Sequence, residues 1–284
     1  MIADWQTNRV YISGMLSQKF PATFRRFLEA LKSYGYMPKY LPNTKDIWAR
    51  DYMPIQVSKK KFVEYRYDPD YLQGNSDDKQ SREIKTYPDI VCDLIGLKTI
   101  KTDIILDGGN VVKSENAIIL TEKVIRENRR NYTKNALIKQ LHDLFEIEKV
   151  VIIPQDISCI YGHADGMLRF VSPDSVLISG FYESVDNDLK EGILKSLEKA
   201  KLNISWLRVS KEEVEENISY INFLQTRDFI FVPAMDRAED DVAIEQISKF
   251  YPEYASKNSI QKIFLNEITR NDGALNCITW TTYE

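Results

Sequence analysis

The sequence predicts one α/β domain assembled from about five strand–helix–strand units. Helix-period segments recur along the 284 residues, short β-rich runs lie between them, and no Pro-, Gly- or Ser-rich linker interrupts the series. Neighbouring helical centres are about 45–60 residues apart, a period that points to a toroidal or stacked array of supersecondary units. The units share no visible sequence identity, so the repeat rests on element order. Residues 1–284 are expected to form a single domain.

The elements follow in order. NRVYIS (8–13) reads as a strand, and PATFRRFLEALKSYG (20–34) places apolar residues at i, i+3/i+4 and i+7, the spacing of one helix face. YMPIQV (52–57) and KFVEYRY (61–67) are strand-like, with the basic run SKKKF (58–62) between them as a solvated edge that discourages further pairing. A helix-period segment over 81–96 is broken by Pro88. DIILDGGNVV (103–112) and NAIIL (116–120) are β-rich and precede a helical stretch over 129–145. KVVIIP (149–154) and SVLIS (175–179) lead to the helix over 188–201, then NISWLRV (203–209) and DFIFVP (228–233). The helix over 238–250, SIQKIFL (259–265) and LNCITW (275–280) complete the chain. A doubly wound sheet is the competing architecture, but it favours a Gly-rich phosphate loop after the first strand, and YISGMLS carries none.

Composition narrows the function. Apolar content of 43%, charged content of 28% and a net charge of −4 with interspersed signs describe a globular chain without the basic stripe that nucleic acid or an anionic membrane would call for. The amino terminus has no cationic and apolar leader pattern, and no stretch approaches the roughly 18 apolar residues of a membrane span. Cys92, Cys159 and Cys277 are odd in number and far apart, which argues against a disulfide framework and for a reducing cytoplasm. With two distant histidines, a His-based metal site is not expected, and neither is any other cofactor.

Four stretches place reactive or turn-forming residues at the ends of β-rich runs: DIWARDYMP (46–54), ILDGGNVV (105–112), YGHADGMLRF (161–170) and DGALNCITW (272–280). Cys277 follows a turn and opens the last strand. It is either a buried core thiol or a nucleophile, and a nucleophile needs an acid/base partner. His163 is the candidate partner, because His142 sits in a helical segment as a surface residue. Cys159 is a rival nucleophile, but its flanks, DISCIYG, read as a buried strand interior. Asp51, Asp107 and Asp165 each occupy a strand-end turn, where a turn or capping role is the ordinary reading. Taken together, fixed carboxylates would repel a developing oxyanion and attract a cation; a planar guanidinium, with five N–H donors, suits carboxylates in pairs.

The order W-x-R-D-x-x-P, acidic-G-G-N, G-H-x-D-x-x-x-R-F and G-x-x-N-C resembles the guanidino-group-modifying (pentein) superfamily, and within it the agmatine deiminase and bacterial-type peptidylarginine deiminase branch. Trp48, Arg50, Asp51 and Pro54 carry the first motif; Gly108, Gly109 and Asn110 the second; Gly162, His163, Asp165, Arg169 and Phe170 the third; Cys277 the fourth. The segment 219–235 resembles the branch's Asn-bearing strand pair and brings in Asn222. The resemblance covers about residues 3–281 and implies a five-bladed α/β propeller, one catalytic domain with its site on the central axis. It implies that Asp51 and Asp165 hold guanidinium nitrogens, that Cys277 attacks the central carbon, and that His163 protonates departing ammonia and then activates water. Asp107 stands where the branch usually has Glu: either its shorter arm still orients His163, with a backbone shift or a water, or it does not reach, which would lower the rate and leave the reaction class unchanged.

The same resemblance places Trp48, Arg50, Asn110 and Asn222 among substrate-binding residues. VEYRYDPDYLQGN (63–75) is expected to overhang the site. It offers Arg66 for an anionic substrate tail, and Tyr67, Asp68, Asp70 and Tyr71 for a cationic one. Its resemblance to a calcium loop fails at Leu72 and Lys79. The expected partner is a small guanidine compound, agmatine ahead of arginine or peptidyl arginine, with homodimerisation left open. Amidinotransfer and a catalytically silent guanidine-binding propeller are the alternatives.

Overall fold

Fifteen strands among the described residues sort into five three-stranded sheets, and every sheet repeats one connection. The computed structural model describes residues 1–73, 83–184, 187–209 and 220–284. The first two residues of the 81–96 segment, the last two of the 63–75 segment, Lys79 and Ser219 lie outside the described residues.

β1 (Arg9–Ser13) runs parallel to β2 (Lys39–Leu41), with the helix Pro21–Ser33 between them. β3 (Ile55–Ser58) pairs antiparallel with β4 (Lys61–Arg66), and β5 (Ile100–Ile105) returns parallel to β4 after the helix Pro88–Leu94. The same hairpin-then-return pattern joins β6 (Val112–Lys113), β7 (Ala117–Thr121) and β8 (Lys149–Ile153). It recurs in β9 (Leu168–Ser172), β10 (Ser175–Ser179) and β11 (Asn203–Leu207), and again in β12 (Leu224–Gln225), β13 (Ile230–Ala234) and β14 (Ile260–Phe264). A parallel return needs a crossover of a dozen or more residues, and the long helices supply it, which is the physical origin of the sequence period. β15 (Thr279–Thr282) pairs antiparallel with β1, so the chain's two ends build one blade and close the five-bladed α/β propeller. Trp280 seals that closure: its indole N–H donates to the carbonyl of Pro54 at 2.7 Å and its ring packs 4.7 Å from Tyr11. β7 and β13 are buried along their whole length, which explains their continuous apolar character. No helix among the described residues is long and apolar enough to cross a membrane.

Several local expectations shift. Pro88 starts its helix rather than breaking one, since the first helical turn needs no N–H from that residue. The helix expected over 129–145 begins at Lys134, behind Thr133, whose side chain accepts from the N–H of Ala136; a separate helix, Lys123–Asn128, precedes it. SKKKF spans the β3–β4 hairpin turn: Ser58, Lys59 and Lys60 are exposed, whereas Phe62 is buried in β4. Cys277 does not open a strand but sits in the turn just ahead of β15. Cys159 is not in a strand interior: it lies in an irregular loop, because the flanking Ile157 and Ile160, 91% and 66% exposed, face outward instead of into a core.

The connectors from the last strand of one blade to the first of the next meet on the axis and are tied in a closed circuit. Arg50 N–H donates to the carbonyl of Cys277 at 3.0 Å, and Gly109 N–H donates to Oδ1 of Asp51 at 3.1 Å. Ala164 N–H donates to Oδ1 of Asn110 at 3.3 Å, the Asn222 amide to the carbonyl of Asp165 at 3.3 Å, and Asn276 N–H to the carbonyl of Asn222 at 3.1 Å. The N-terminal turn Asp4–Gln6 adds a buried ion cluster. Asp4 faces Lys113 at 2.8 Å, Arg169 at 2.8 Å and Arg50 at 3.8 Å. Burial alone would raise its pKa, but the three cations outweigh that and hold the carboxyl well below its ordinary range.

Replacing Asp4 with Ala leaves three buried cations without their counter-charge. The expected loss is about 3–5 kcal/mol of unfolding free energy. Urea denaturation measures it, and a loss under about 1 kcal/mol would contradict the cluster's structural role.

Candidate active site

Four of the five connectors present side chains to one cavity of about 660 Å³, and Asp107, from the connector ahead of β6, does not line it. Asp51 and Trp48 come from the connector ahead of β3, His163 and Asp165 from the one ahead of β9, Asn222 from the one ahead of β12, and Cys277 from the one ahead of β15. Short helical turns set their directions. Asp51 lies in Ala49–Tyr52 and Asp165 in Ala164–Gly166, where a tight turn swings alternate side chains toward and away from the axis.

The Sγ of Cys277 is 3.3 Å from Oδ1 of Asn222 and 3.9 Å from Oδ2 of Asp165. The same Asn222 oxygen accepts the backbone N–H of Cys277 at 3.3 Å, so one amide orients both the thiol and its peptide. Asn276 donates to Oδ2 of Asp165 at 2.6 Å and fixes that carboxylate. Across the cavity, Nδ1 of His163 lies 3.6 Å from Oδ1 of Asp51, and its Nε2 meets Oδ2 of Asp107 at 3.0 Å. The shorter arm of Asp107 therefore reaches the imidazole directly. Gly109 makes the arrangement possible: a Cβ there would sit 2.5 Å from Nδ1 of His163 and 2.6 Å from Oδ1 of Asp51.

These contacts set the ionisation. Burial works against a charged His163, but Asp51, the Asp107 hydrogen bond and Asp165 outweigh it and hold the imidazole up at about 9. Burial pushes the Asp51 carboxyl up to about 7, with His163 opposing and the neighbouring carboxylates adding. For Asp107, burial is overcome by His163 and Lys123, which hold it below its ordinary value. Burial, then Asp165 and Asp51, pushes the Cys277 thiol well above its ordinary value. Burial and the surrounding carboxylates thus favour a neutral thiol at Cys277, while the carboxylates favour a charged imidazole at His163.

The other sequence-expected residues divide. Trp48 and Asn222 line the cavity, whereas Arg50, Asn110, Arg66 and Asp68 do not. Arg50 turns to the Asp4 cluster and the carbonyl of Asn276 at 3.3 Å. Asn110 accepts from the backbone N–H of Thr121 at 2.9 Å as well as from Ala164, and so joins blades. Arg66 and Asp68 pair with each other at 2.6 Å, and Lys85 completes the group at 2.8 Å. From the 63–75 segment, Tyr67, Tyr71 and Leu72 reach the cavity; the ring of Tyr71 stands 6.0 Å from that of His163 and 5.0 Å from that of Tyr161. Cys159 lines the cavity wall too, and its thiol is pushed up by burial. His142 is exposed on its helix.

Sequence reasoning missed Asn276, although it stands beside Cys277 in the fourth motif, because asparagine in a turn has an ordinary explanation. It also missed Asp46, which accepts from the N–H of Trp48 at 2.7 Å and which burial pushes up to about 6. Lys123, the buried partner of Asp107 at 2.6 Å, gave no signal, since a lysine in a helical stretch reads as solvated.

A family model described as Porphyromonas-type peptidyl-arginine deiminase matches residues 17–282. Among curated relatives, a Mycoplasma mycoides subsp. mycoides protein named "Putative agmatine deiminase" is 24% identical over 279 residues, spanning 82% of this chain and 74% of the relative. Among solved structures, C. jejuni agmatine deiminase superposes with a TM-score of 0.78 at 14% identity, over 100% of this chain and 95% of that one. The agmatine deiminase of Enterococcus faecalis does so with a TM-score of 0.69 at 17% identity, over 99% and 94%. At these identities the superpositions speak for the fold alone. The match to the family model, which runs over nearly the whole length, carries the assignment: this chain belongs to the Porphyromonas-type peptidyl-arginine deiminase family.

Proposed function

We propose that the protein hydrolyses the C–N bond of a guanidine compound, with agmatine the leading substrate, releasing ammonia and leaving a ureido product. The observation that carries this is the joint presentation of Cys277, His163, Asp51 and Asp165 to one cavity. A guanidinium seated between Asp51 and Asp165 neutralises the charges that keep the Cys277 thiol protonated, so the substrate itself favours the thiolate. The thiolate attacks the central carbon and forms a C–S bond. His163 gives its proton to the departing nitrogen, the C–N bond breaks, ammonia leaves, and a cationic thiouronium remains on Cys277. The neutral imidazole then takes a proton from water, whose oxygen adds to the same carbon. The C–S bond breaks, restoring the thiolate, and the proton shed by the ureido oxygen converts ammonia to ammonium. Asn222, Asn276 and Asp107 act by orienting Cys277, Asp165 and His163 respectively.

Agmatine is favoured by the charge of the wall. Asp46, Asp156 and Asp272 accompany the two guanidinium-facing aspartates, against Lys19 and Lys45, and no arginine among the described residues lines the cavity. The faces of Trp48, Tyr67 and Tyr71 suit a cationic tail. The names of the relatives support the same choice. An arginine-type substrate is the second reading, favoured by the cavity's breadth and by those two lysines, which could hold a carboxylate.

A panel of agmatine, arginine and arginyl peptides, assayed for ureido product, tests the function; no product from any of them at high enzyme concentration would refute it. Cys277→Ala should lower turnover by on the order of 10³-fold or more while calorimetry still detects agmatine binding. A silent propeller would show no turnover in either form. Adding glycine or a diamine and finding a transferred guanidine would replace hydrolysis by amidinotransfer.

The pH profile of kcat/KM should be bell-shaped, with its maximum between about 7 and 9. As pH rises through the upper value His163 loses the proton it must donate; as pH falls through the lower one Asp51 is neutralised and its grip on the cation weakens. Asp107→Asn removes a charge that favours imidazolium, so the alkaline limb should move to lower pH. A limb that stays in place would contradict the assignment of Asp107.

A further inference from the structure

Lys123 is a fully buried lysine that the reaction as derived above does not use. Its ammonium lies 2.6 Å from Oδ2 of Asp107, the oxygen that also receives Nε2 of His163, while Oδ1 of Asp107 has no hydrogen-bond partner among the described residues. The carboxylate is thus held through one oxygen by two cations. On its other side Lys123 pairs with Glu127, one helical turn along, and lies 3.4 Å from Asp70 and 5.3 Å from the centre of the Tyr71 ring. Asp70 is held at its second oxygen by Arg126 at 2.6 Å, and its backbone N–H donates to Glu127 at 3.2 Å. The turn Asp70–Leu72 places Tyr71 over the imidazole.

We propose that Lys123 is a positioning residue for His163: its ammonium fixes Asp107 against the imidazole and, through Glu127 and Asp70, fastens the Tyr71 turn over the ring. A short acidic side chain can serve here because a second cation, built into the neighbouring helix, pins it from behind. The charge has a consequence of definite sign. His163 faces Asp51, Asp107, Asp165 and the rings of Tyr71 and Tyr161; Lys123 is the cation nearest to the Asp107 oxygen it shares. Removing that cation should strengthen the imidazole's hold on its proton, and removing Glu127 should weaken it.

This inference takes its importance from the deiminase reading but is tested without turnover. The chain has two histidines, so the ring signals of His163 can be followed by NMR across a pH titration, with exposed His142 as the internal reference. Lys123→Met should raise the His163 midpoint by about one unit or more, Glu127→Gln should lower it, and Lys123→Arg should leave it near the parent value. If Lys123→Met fails to fold, Lys123→Met/Glu127→Gln removes the stranded carboxylate as well. Its midpoint should still rise, because the lysine is the nearer charge. In protein with measurable turnover, the same variant should lose roughly tenfold or more in kcat with little change in KM. A lysine that serves stability alone would change the melting temperature and leave the midpoint in place. An unmoved midpoint in the double variant and in Glu127→Gln overturns the proposal. A parent enzyme without deiminase activity but with these shifts would count against the proposed function alone.

Discussion

Five hydrogen bonds that run in a circuit around the axis are the constraint on which the rest of the structure depends. Each joins one connector to the next: Arg50 to Cys277, Gly109 to Asp51, Ala164 to Asn110, Asn222 to Asp165, and Asn276 to Asn222. A buried connector carries backbone polar groups that no strand partner can satisfy, so it must find partners in its neighbours or be expelled to solvent. The propeller meets the requirement by making the connectors satisfy one another. The site is built from those same residues, which is why its side chains are held to particular directions by several bonds each.

Buried charge obeys a second balance. Asp4 collects Arg50, Lys113 and Arg169, leaving that cluster rich in cations, while Asp51, Asp107 and Asp165 gather around one imidazole. Isolated charges in a dry interior are strongly unfavourable, and carboxylates in excess of their cations lose their charge by proton uptake unless a cation arrives. The raised pKa of Asp51 reflects its burial first, and then the neighbouring carboxylates, with His163 opposing. In the proposed reaction a guanidinium would relieve the excess of carboxylates, which would make binding and activation of the thiol two faces of one electrostatic event.

The fold was legible because its period was written twice, in helix spacing and in β-rich runs. Helices Pro21–Ser33, Asn187–Lys199 and Ala238–Phe250 stand within a residue or two of their expected limits, since each buries one apolar stripe. The short elements were harder. β2 and β12 have too few residues to show alternation, and the helix Lys123–Asn128 hid behind its charges. In the site, Cys277, His163 and the aspartates stood out as reactive types in turns. Cys159 misled because apolar neighbours usually mean burial, yet Ile157 and Ile160 point to solvent. Lys123 was invisible because nothing local to a lysine says that its ammonium will meet Asp107, sixteen residues earlier in the chain.

The motifs themselves mix two kinds of residue, and the structure separates them. In the first, Asp51 faces the cavity while its neighbour Arg50 faces Asp4; in the second, Gly109 gives room to His163 while Asn110 bonds the next connector. A tight turn directs adjacent side chains to opposite sides, so a chemically active residue and the residue that holds its connector in place fall side by side in sequence. Reading every motif residue as substrate-binding therefore overstates the binding set, as it did for Arg50 and Asn110. The distinction follows from geometry: a connector that must both present chemistry to the cavity and fasten itself to its neighbours has to spend consecutive positions on different tasks.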